Sequence, residues 1–329
     1  MAALGAGLND AQKKQFDAIS KKPFRAQAVW FLNGFWIDGP NFSENPDQRE
    51  LMWEYVHRMI ELHPHGENGY ELDEFKGHVF LEKSGMTLTV AKMRAVMKEI
   101  DLDFNKYISL TEFLIFHYKV KISDLVDAPQ AADPAAAKRI AAARNAVNLA
   151  QLKCAASRDA DAESKKASDA AHKAELAAAA ALAELEAEQK RLDDLIVSLT
   201  AKAADMSLGV VKRGQASSKL AAVKGKDPLP LNRAKITQAA ALRKLKKAKK
   251  KAVVAAEAAA EALASAEAAF TEAEHLLKVE MKKASGGGQG ELWWMSRELE
   301  EAKKYMSPAA LRKLERQQAA AAAAGESKN

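Results

Sequence analysis

Between Lys119 and Leu292 the chain carries one large aromatic side chain, Phe270, and that scarcity decides what its middle can fold into. Large side chains fill globular cores, so so long a stretch without them does not close into a globule. What it offers instead is alanine with lysine and glutamate, all good helix formers. Ala135 to about Asp205 reads as one helix of roughly 70 residues, on the order of 100 Å long. Larger apolar residues recur by sevens, at Ile140, Val147 and Cys154 and again at Leu185, Leu192 and Leu199, a coiled-coil seam with a weak middle. A second helix is expected from Leu231 to about Ala284. Leu242, Ala256, Leu263, Phe270 and Leu277 form one heptad row, and Leu245, Ala252, Ala259, Ala266 and Ala273 the other. Between the two helices, residues 207–230 with Gly209, Gly214, Gly225, Pro228 and Pro230 read as the bend of an antiparallel hairpin. Because so many seam positions are alanine, two solitary helices in water are the alternative. Pairing within one chain and self-association between chains both stay open.

The aromatic residues mark the ends. Trp30, Trp36 and Trp53 fall in the first segment, residues 1–121, where Phe24–Trp36 and Arg49–Leu62 read as amphipathic helices. A linker follows at 122–134, with two prolines. The long hairpin takes 135–284. Residues 285–329 open on the joint Ser285–Gly290, then give a short amphipathic helix from Glu291 to Tyr305. Another short helix is expected from Ser307-Pro308, and a frayed end from Ala319 to Asn329. The expected fold is all-α.

Within the first segment, Asp101–Glu112 (D-L-D-F-N-K-Y-I-S-L-T-E) states its chemistry most directly. Asp101, Asp103, Asn105, Ser109 and Glu112 put side-chain oxygens at positions one, three, five, nine and twelve, and Tyr107 would give its backbone carbonyl at seven. Ca²⁺ is a hard cation that takes about six to eight oxygens, and this is the EF-hand ligand pattern. Ile108 supplies the branched apolar residue for the short strand that pairs two such loops. Position six, normally glycine, is Lys106, which forces a strained φ and sets a cation beside the site. Weakened Ca²⁺ binding is the expectation, and a vestigial loop kept for packing is the alternative. A degraded partner aligns on Glu74 and Phe75, running from His63 to Glu74. Its His63 and His65 are poor ligands for a hard cation, so it reads as a scaffold.

The chain has 50 basic and 44 acidic residues, a net charge of +6 and a pI of about 9.1, so local clustering matters more than the total. Arg243, Lys244, Lys246, Lys247, Lys249, Lys250 and Lys251 come without an intervening acid, and the preceding bend adds Lys212, Arg213, Lys219, Lys224 and Lys226 against Asp227. Such a surface attracts polyanions: an actin filament, a microtubule, nucleic acid or an acidic membrane. The bland alternative is a solvated helix face. No interleaved aromatics or reader module point to nucleic acid. Trp293, Trp294 and Met295 are either docked on the body or offered to a partner helix-in-groove fashion.

Cys154 is the one cysteine, which excludes an intramolecular disulfide and fits a reducing compartment. With no signal-like start and no run of about 18 strongly apolar residues, a soluble cytoplasmic protein is expected. No phosphate loop, nucleophile elbow or zinc spacing is present and the histidines are scattered, so an enzyme is not expected.

Three motifs carry a resemblance. Lys22-Pro23-Phe24, Gln27-Ala28-Val29 and Phe31-Leu32-Asn33 through Trp36 fit a P-F-x-x-Q-A-V-x-F-L-N pattern. The Asp101–Glu112 loop is followed by Phe113, Leu114, Tyr118 and Lys119. Trp293-Trp294-Met295 with Arg297, Leu299, Glu300 and Glu301 fits W-W-M-x-R-x-L-E-E. In these the chain resembles the calcium-regulated EF-hand actin-bundling proteins of slime moulds. The resemblance implies several F-actin contacts in one polypeptide, weakened by Ca²⁺, with a major contact in the helical region toward Val210–Lys251. The function expected is therefore calcium-sensitive actin binding and bundling in the cytoskeleton. A structural coiled-coil component of a microtubule assembly such as an axoneme or cilium is the alternative, and a calcium buffer is a third reading, disfavoured by its single intact loop.

Overall fold

Aromatic residues at the ends and alanine between them give two kinds of helical body in the computed structural model. It describes residues 8–86, 89–131, 134–225, 228–283, 287–304, 306, 311–312 and 315–316. The start of the helix expected from Ser307-Pro308, the frayed end, Ser285 with Gly286, and Lys226 with Asp227 lie outside these. The helices are α1 (Asp10–Ser20), α2 (Phe24–Gly34), α3 (Pro46–Leu62), α4 (Glu74–Lys83), α5 (Val90–Ile100), α6 (Leu110–Tyr118), α7 (Ile122–Val126), α8 (Pro134–Ala204), α9 (Val210–Gly225), α10 (Leu229–Lys283) and α11 (Gln289–Lys303). The strands β1 (Glu71–Asp73) and β2 (Tyr107–Ser109) pair antiparallel, with Leu72 opposite Ile108. The fold is all-α, with a long helical hairpin.

The chain divides into two units. The first holds the N-terminal helices, the start of α8, the end of α10 and α11. Its core contains Phe16, Phe24, Phe31, Leu32, Met52, Tyr55, Phe80, Phe113 and Trp294, each at most 2% exposed. α1 starts on a capping box in which Asn9 and Gln12 satisfy each other's amides, and α6 starts on a second one made by Ser109 and Glu112. α11 crosses α2 at Gly290, where a Cβ would stand 2.5 Å from the Leu32 Cβ and 2.7 Å from the Asn33 nitrogen. Only glycine lets the two backbones approach this closely. In the same unit Ile140, Val147 and Ala150 of α8 and Phe270, Ala273 and Leu277 of α10 are buried, and Arg139 pairs with Glu280 at 2.9 Å.

The second unit, built on Lys153–Glu267, holds the rest of the hairpin. Glu175 of α8 and Lys249 of α10 pair across it at 2.9 Å. Leu199 is buried and Leu185 and Leu192 are half-buried, as their heptad row requires. On α10 the row of Leu245, Ala252, Ala259, Ala266 and Ala273 faces inward, but Leu242 and Ala256 of the other row are exposed. The covered positions there are Ala241, Ala248 and Ala255, one residue earlier. The two registers meet at Ala262 and Leu263, both half-buried, and from there Ala266, Phe270, Ala273 and Leu277 are buried as the two rows require.

The bend is much shorter than residues 207–230. Most of that segment is α9, which buries Ala216, and the turn that leaves α8 is confined to Asp205–Gly209. Gly214 sits inside α9 because Val210–Gly225 supplies enough helix formers to carry its cost of about 1 kcal/mol.

Candidate functional site

The Asp101–Glu112 loop bridges α5 and α6, and its carboxylates converge. Ligating oxygens of Asp101, Asp103 and Glu112 lie within 4.8 Å of one another. Backbone amides shape the loop from inside. Those of Asn105 and Lys106 donate to Asp101 at 3.1 and 3.0 Å, and that of Tyr107 donates to the Asn105 side-chain oxygen at 2.6 Å. Lys106 adopts φ 68° and Phe104 φ 61°. The turn therefore closes in the left-handed region without glycine and bears the cost in strain. Tyr107 is exposed and begins β2, whereas Ser109 is buried and caps α6.

Glu112 is 2% exposed and accepts from the Leu102 amide at 3.0 Å and from the Ser109 amide and hydroxyl at 2.9 Å each. Burial pushes its carboxyl up to about 7, against those hydrogen bonds. Burial also raises Asp103, with Asp101 beside it. Three crowded carboxylates, with Asp103 and Glu112 held above their usual range by burial, are a donor set that a hard cation would relieve, so these residues fit Ca²⁺.

Strand register corrects the partner loop. Leu72 lies opposite Ile108, and Asp73 caps α4 through the Lys76 amide as Ser109 caps α6 through the Glu112 amide. Asp73 thus corresponds to Ser109, and Lys76, not Glu74, to Glu112. Its ammonium lies 3.3 Å from Asp73. A lysine thus stands in this loop where the other has the buried Glu112.

Gln27 is a residue whose role composition does not reveal. It is 1% exposed; its amide group donates to the carbonyls of Ser20, Lys22 and Tyr70 at 2.9, 2.6 and 2.8 Å. Its oxygen accepts from the amide and hydroxyl of Thr111, next to Glu112. One side chain thus joins α2, the partner loop and the Asp101–Glu112 loop. A glutamine within an aromatic helix was the available signal.

The C-terminal aromatic segment is seated within the first unit. Trp294 and Met295 are 1% and 0% exposed, and Trp294 packs on Trp53 with ring centres 4.9 Å apart. Trp294 donates to Glu298 at 2.9 Å, and Arg25 reaches both Glu298 oxygens at 2.6 and 2.7 Å. Arg297 pairs with Glu50 at 2.9 Å and lies 4.8 Å over the Trp53 ring. Trp293 is half-buried beside Arg49.

The cations lie in the second unit. Lys212 is exposed on α9, while Arg213 is half-buried against the Met206 sulfur at 2.8 Å. Arg243, Lys244, Lys246, Lys247, Lys249, Lys250 and Lys251 are all exposed on α10. Lys247, Lys250 and Lys251 share a groove of about 620 Å³ with Lys166 and Glu163, floored by Ala167, Ala248, Val254 and Ala255 among others. The Asp101–Glu112 loop and this cationic face thus belong to different units.

No curated protein matches the chain in sequence. In three dimensions it is similar to the crystal structure of the 34 kDa F-actin bundling protein from Dictyostelium discoideum, at 19% identity and a TM-score of 0.47, covering 92% of this chain and 98% of that one. The sequence match falls on the hairpin: over residues 136–279 the chain is similar to the family described as F actin bundling C terminal.

Proposed function

We propose that this protein binds actin filaments and bundles them, acting in the cytoskeleton, and that Ca²⁺ at Asp101–Glu112 weakens the interaction. The observation that carries the reading is the match of residues 136–279 to the F-actin bundling C-terminal family. That stretch contains the cationic run of α10, a surface fitted to an acidic filament. Lys212 and Arg213 of α9 extend the basic character along the same unit. Trp293, Trp294, Met295 and Arg297 contribute by holding α11 on α2, which secures the base of the hairpin through Arg144–Glu291 at 2.6 Å and Lys303–Glu274 at 2.9 Å. Among the described residues no helix is long and apolar enough to cross a membrane.

The calcium part rests on the convergence of Asp101, Asp103 and Glu112. A bound Ca²⁺ supplies positive charge that favours the ionised carboxylates. The chain's own residues would transmit the change. Glu112 lies in the first turn of α6, Thr111 beside it is held by Gln27, and Gln27 is part of α2. At the far end of α2, Asn33 accepts from the Glu291 amide of α11 at 3.0 Å. Cosedimentation with F-actin at low and high speed, with and without Ca²⁺, tests both parts. Pelleting and low-speed bundles that diminish with Ca²⁺ are expected. Pelleting with microtubules but not with actin would overturn the partner, and pelleting indifferent to Ca²⁺ would overturn the regulation alone.

A further inference from the structure

The α10 cations come with exposed aliphatic side chains that an acidic filament does not require. Ile236, Leu242, Val253 and Val254 are 70%, 47%, 57% and 57% exposed. Ile236, Arg243, Lys247, Lys250 and Val254 follow one another at steps of seven, four, three and four residues, which places them on one helical face. Of the seven cations from Arg243 to Lys251, Lys249 alone is ion-paired among the described residues, with Glu175. Here seven cations come with no acid among them, and exposed aliphatic side chains lie within and beside the run.

We infer that this face of α10 is a docking surface for an anionic phospholipid bilayer, a partner beyond the filament. Charge complementarity and the exposed aliphatics argue for it together. A bilayer presents phosphates at any spacing the lysines adopt, and its headgroup–acyl boundary accepts the valine and isoleucine side chains. The groove between α8 and α10 fits the same partner. Its lining joins Lys166, Lys247, Lys250 and Lys251, with Glu163 as the one acid, to alanines and Val254. A phospholipid headgroup likewise joins a phosphate to an apolar base. Nucleic acid lacks the stacking side chains it would need here, since Phe270 is the only aromatic residue between Lys119 and Leu292.

The full chain, without actin, is sedimented with vesicles of phosphatidylcholine containing phosphatidylserine and with phosphatidylcholine alone. The first should bind at least about tenfold more protein, and about 1 M salt, with a screening length near 3 Å, should release it. The triple variant Lys247→Gln/Lys250→Gln/Lys251→Gln keeps helix propensity and should lose about tenfold in binding at unchanged helical circular dichroism. Val253→Ala with Val254→Ala should weaken binding severalfold with no change in charge. Equal pelleting with both vesicles, pelleting with neither, or a triple variant that binds like the parent would each overturn the inference. The same triple variant tested on F-actin keeps the two partners apart. Loss of filament binding with vesicle binding intact assigns the cations to the filament and defeats the lipid inference.

Discussion

The side-chain oxygen of Gln27 accepts from both the amide and the hydroxyl of Thr111, at 2.8 and 2.9 Å, across 84 residues of sequence. Its two amide hydrogens meanwhile are shared among the carbonyls of Ser20, Lys22 and Tyr70, so one buried side chain ties α2 to five polar groups at the end of α1, in the turn after it and in the paired loops. Gln27→Leu keeps much of the volume and strands all five partners. Each buried orphan costs about 1–3 kcal/mol, so a loss of roughly 3 kcal/mol or more is expected. Urea unfolding followed by tryptophan fluorescence measures it, and a variant as stable as the parent would contradict the network.

Lys106 and Glu112 separate the loop's geometry from its charge. Lys106→Gly removes a side chain from φ 68° and a cation from the site, and should tighten Ca²⁺ severalfold, since the left-handed region costs a non-glycine residue roughly 1–2 kcal/mol. Glu112→Gln keeps the shape and removes the buried acidic ligand, and should weaken Ca²⁺ at least about tenfold. Calorimetric titration reads both. Heat that is identical in all three proteins would show that Ca²⁺ binds elsewhere.

Much of this was legible in the sequence, and each departure has a physical cause. The convergence of Asp101, Asp103 and Glu112 was legible because the spacing of oxygens along one loop is local. The partner loop's register was not local: Glu74-Phe75 imitates the end of such a loop, and only the pairing of Leu72 with Ile108 shows that Lys76 holds the last position. The long helices followed from alanine, but Leu242 looked like seam because it is large, while the covered residue is Ala241. In a seam made mostly of alanine, size does not mark the buried side. Gly214 read as part of a bend, yet one glycine does not break a helix whose neighbours favour it. The seat of Trp294 on Trp53 joins the two ends of the chain, a pairing that no periodicity encodes.

Gly290 sets how closely α11 lies on α2. Gly290→Ala places a methyl within 2.7 Å of backbone at Asn33, which has no flexible end to move aside. Overpacking of this kind costs about 1–3 kcal/mol, and α11 should loosen first. Limited proteolysis should release the C-terminal segment faster than in the parent, with Trp294 fluorescence shifted to the red. Unchanged cleavage would mean that α11 does not need the close crossing.

His117 gives the N-terminal unit a pH dependence. It stacks on Phe113 and lies edge-on to Tyr55, with ring centres 5.5 Å away in each case, and burial lowers its pKa below the usual value near 6.5. The unfolded chain then binds the proton more readily than the native one. The stability from a neutral His117 is complete above about pH 6.5 and falls as pH drops through the lowered folded value. Thermal unfolding from pH 7.5 to 5 should therefore show a flatter decline in His117→Phe than in the parent. Parallel curves would remove the histidine from the account.

The central claim is that residues 136–279 give this chain a grip on actin filaments. The most direct measurement is F-actin cosedimentation of the full chain at low and high speed, in calcium chelator and in Ca²⁺. The account predicts saturable pelleting, low-speed bundles in chelator and fewer bundles with Ca²⁺. Protein that stays in the supernatant at every filament concentration, in both conditions, would contradict it.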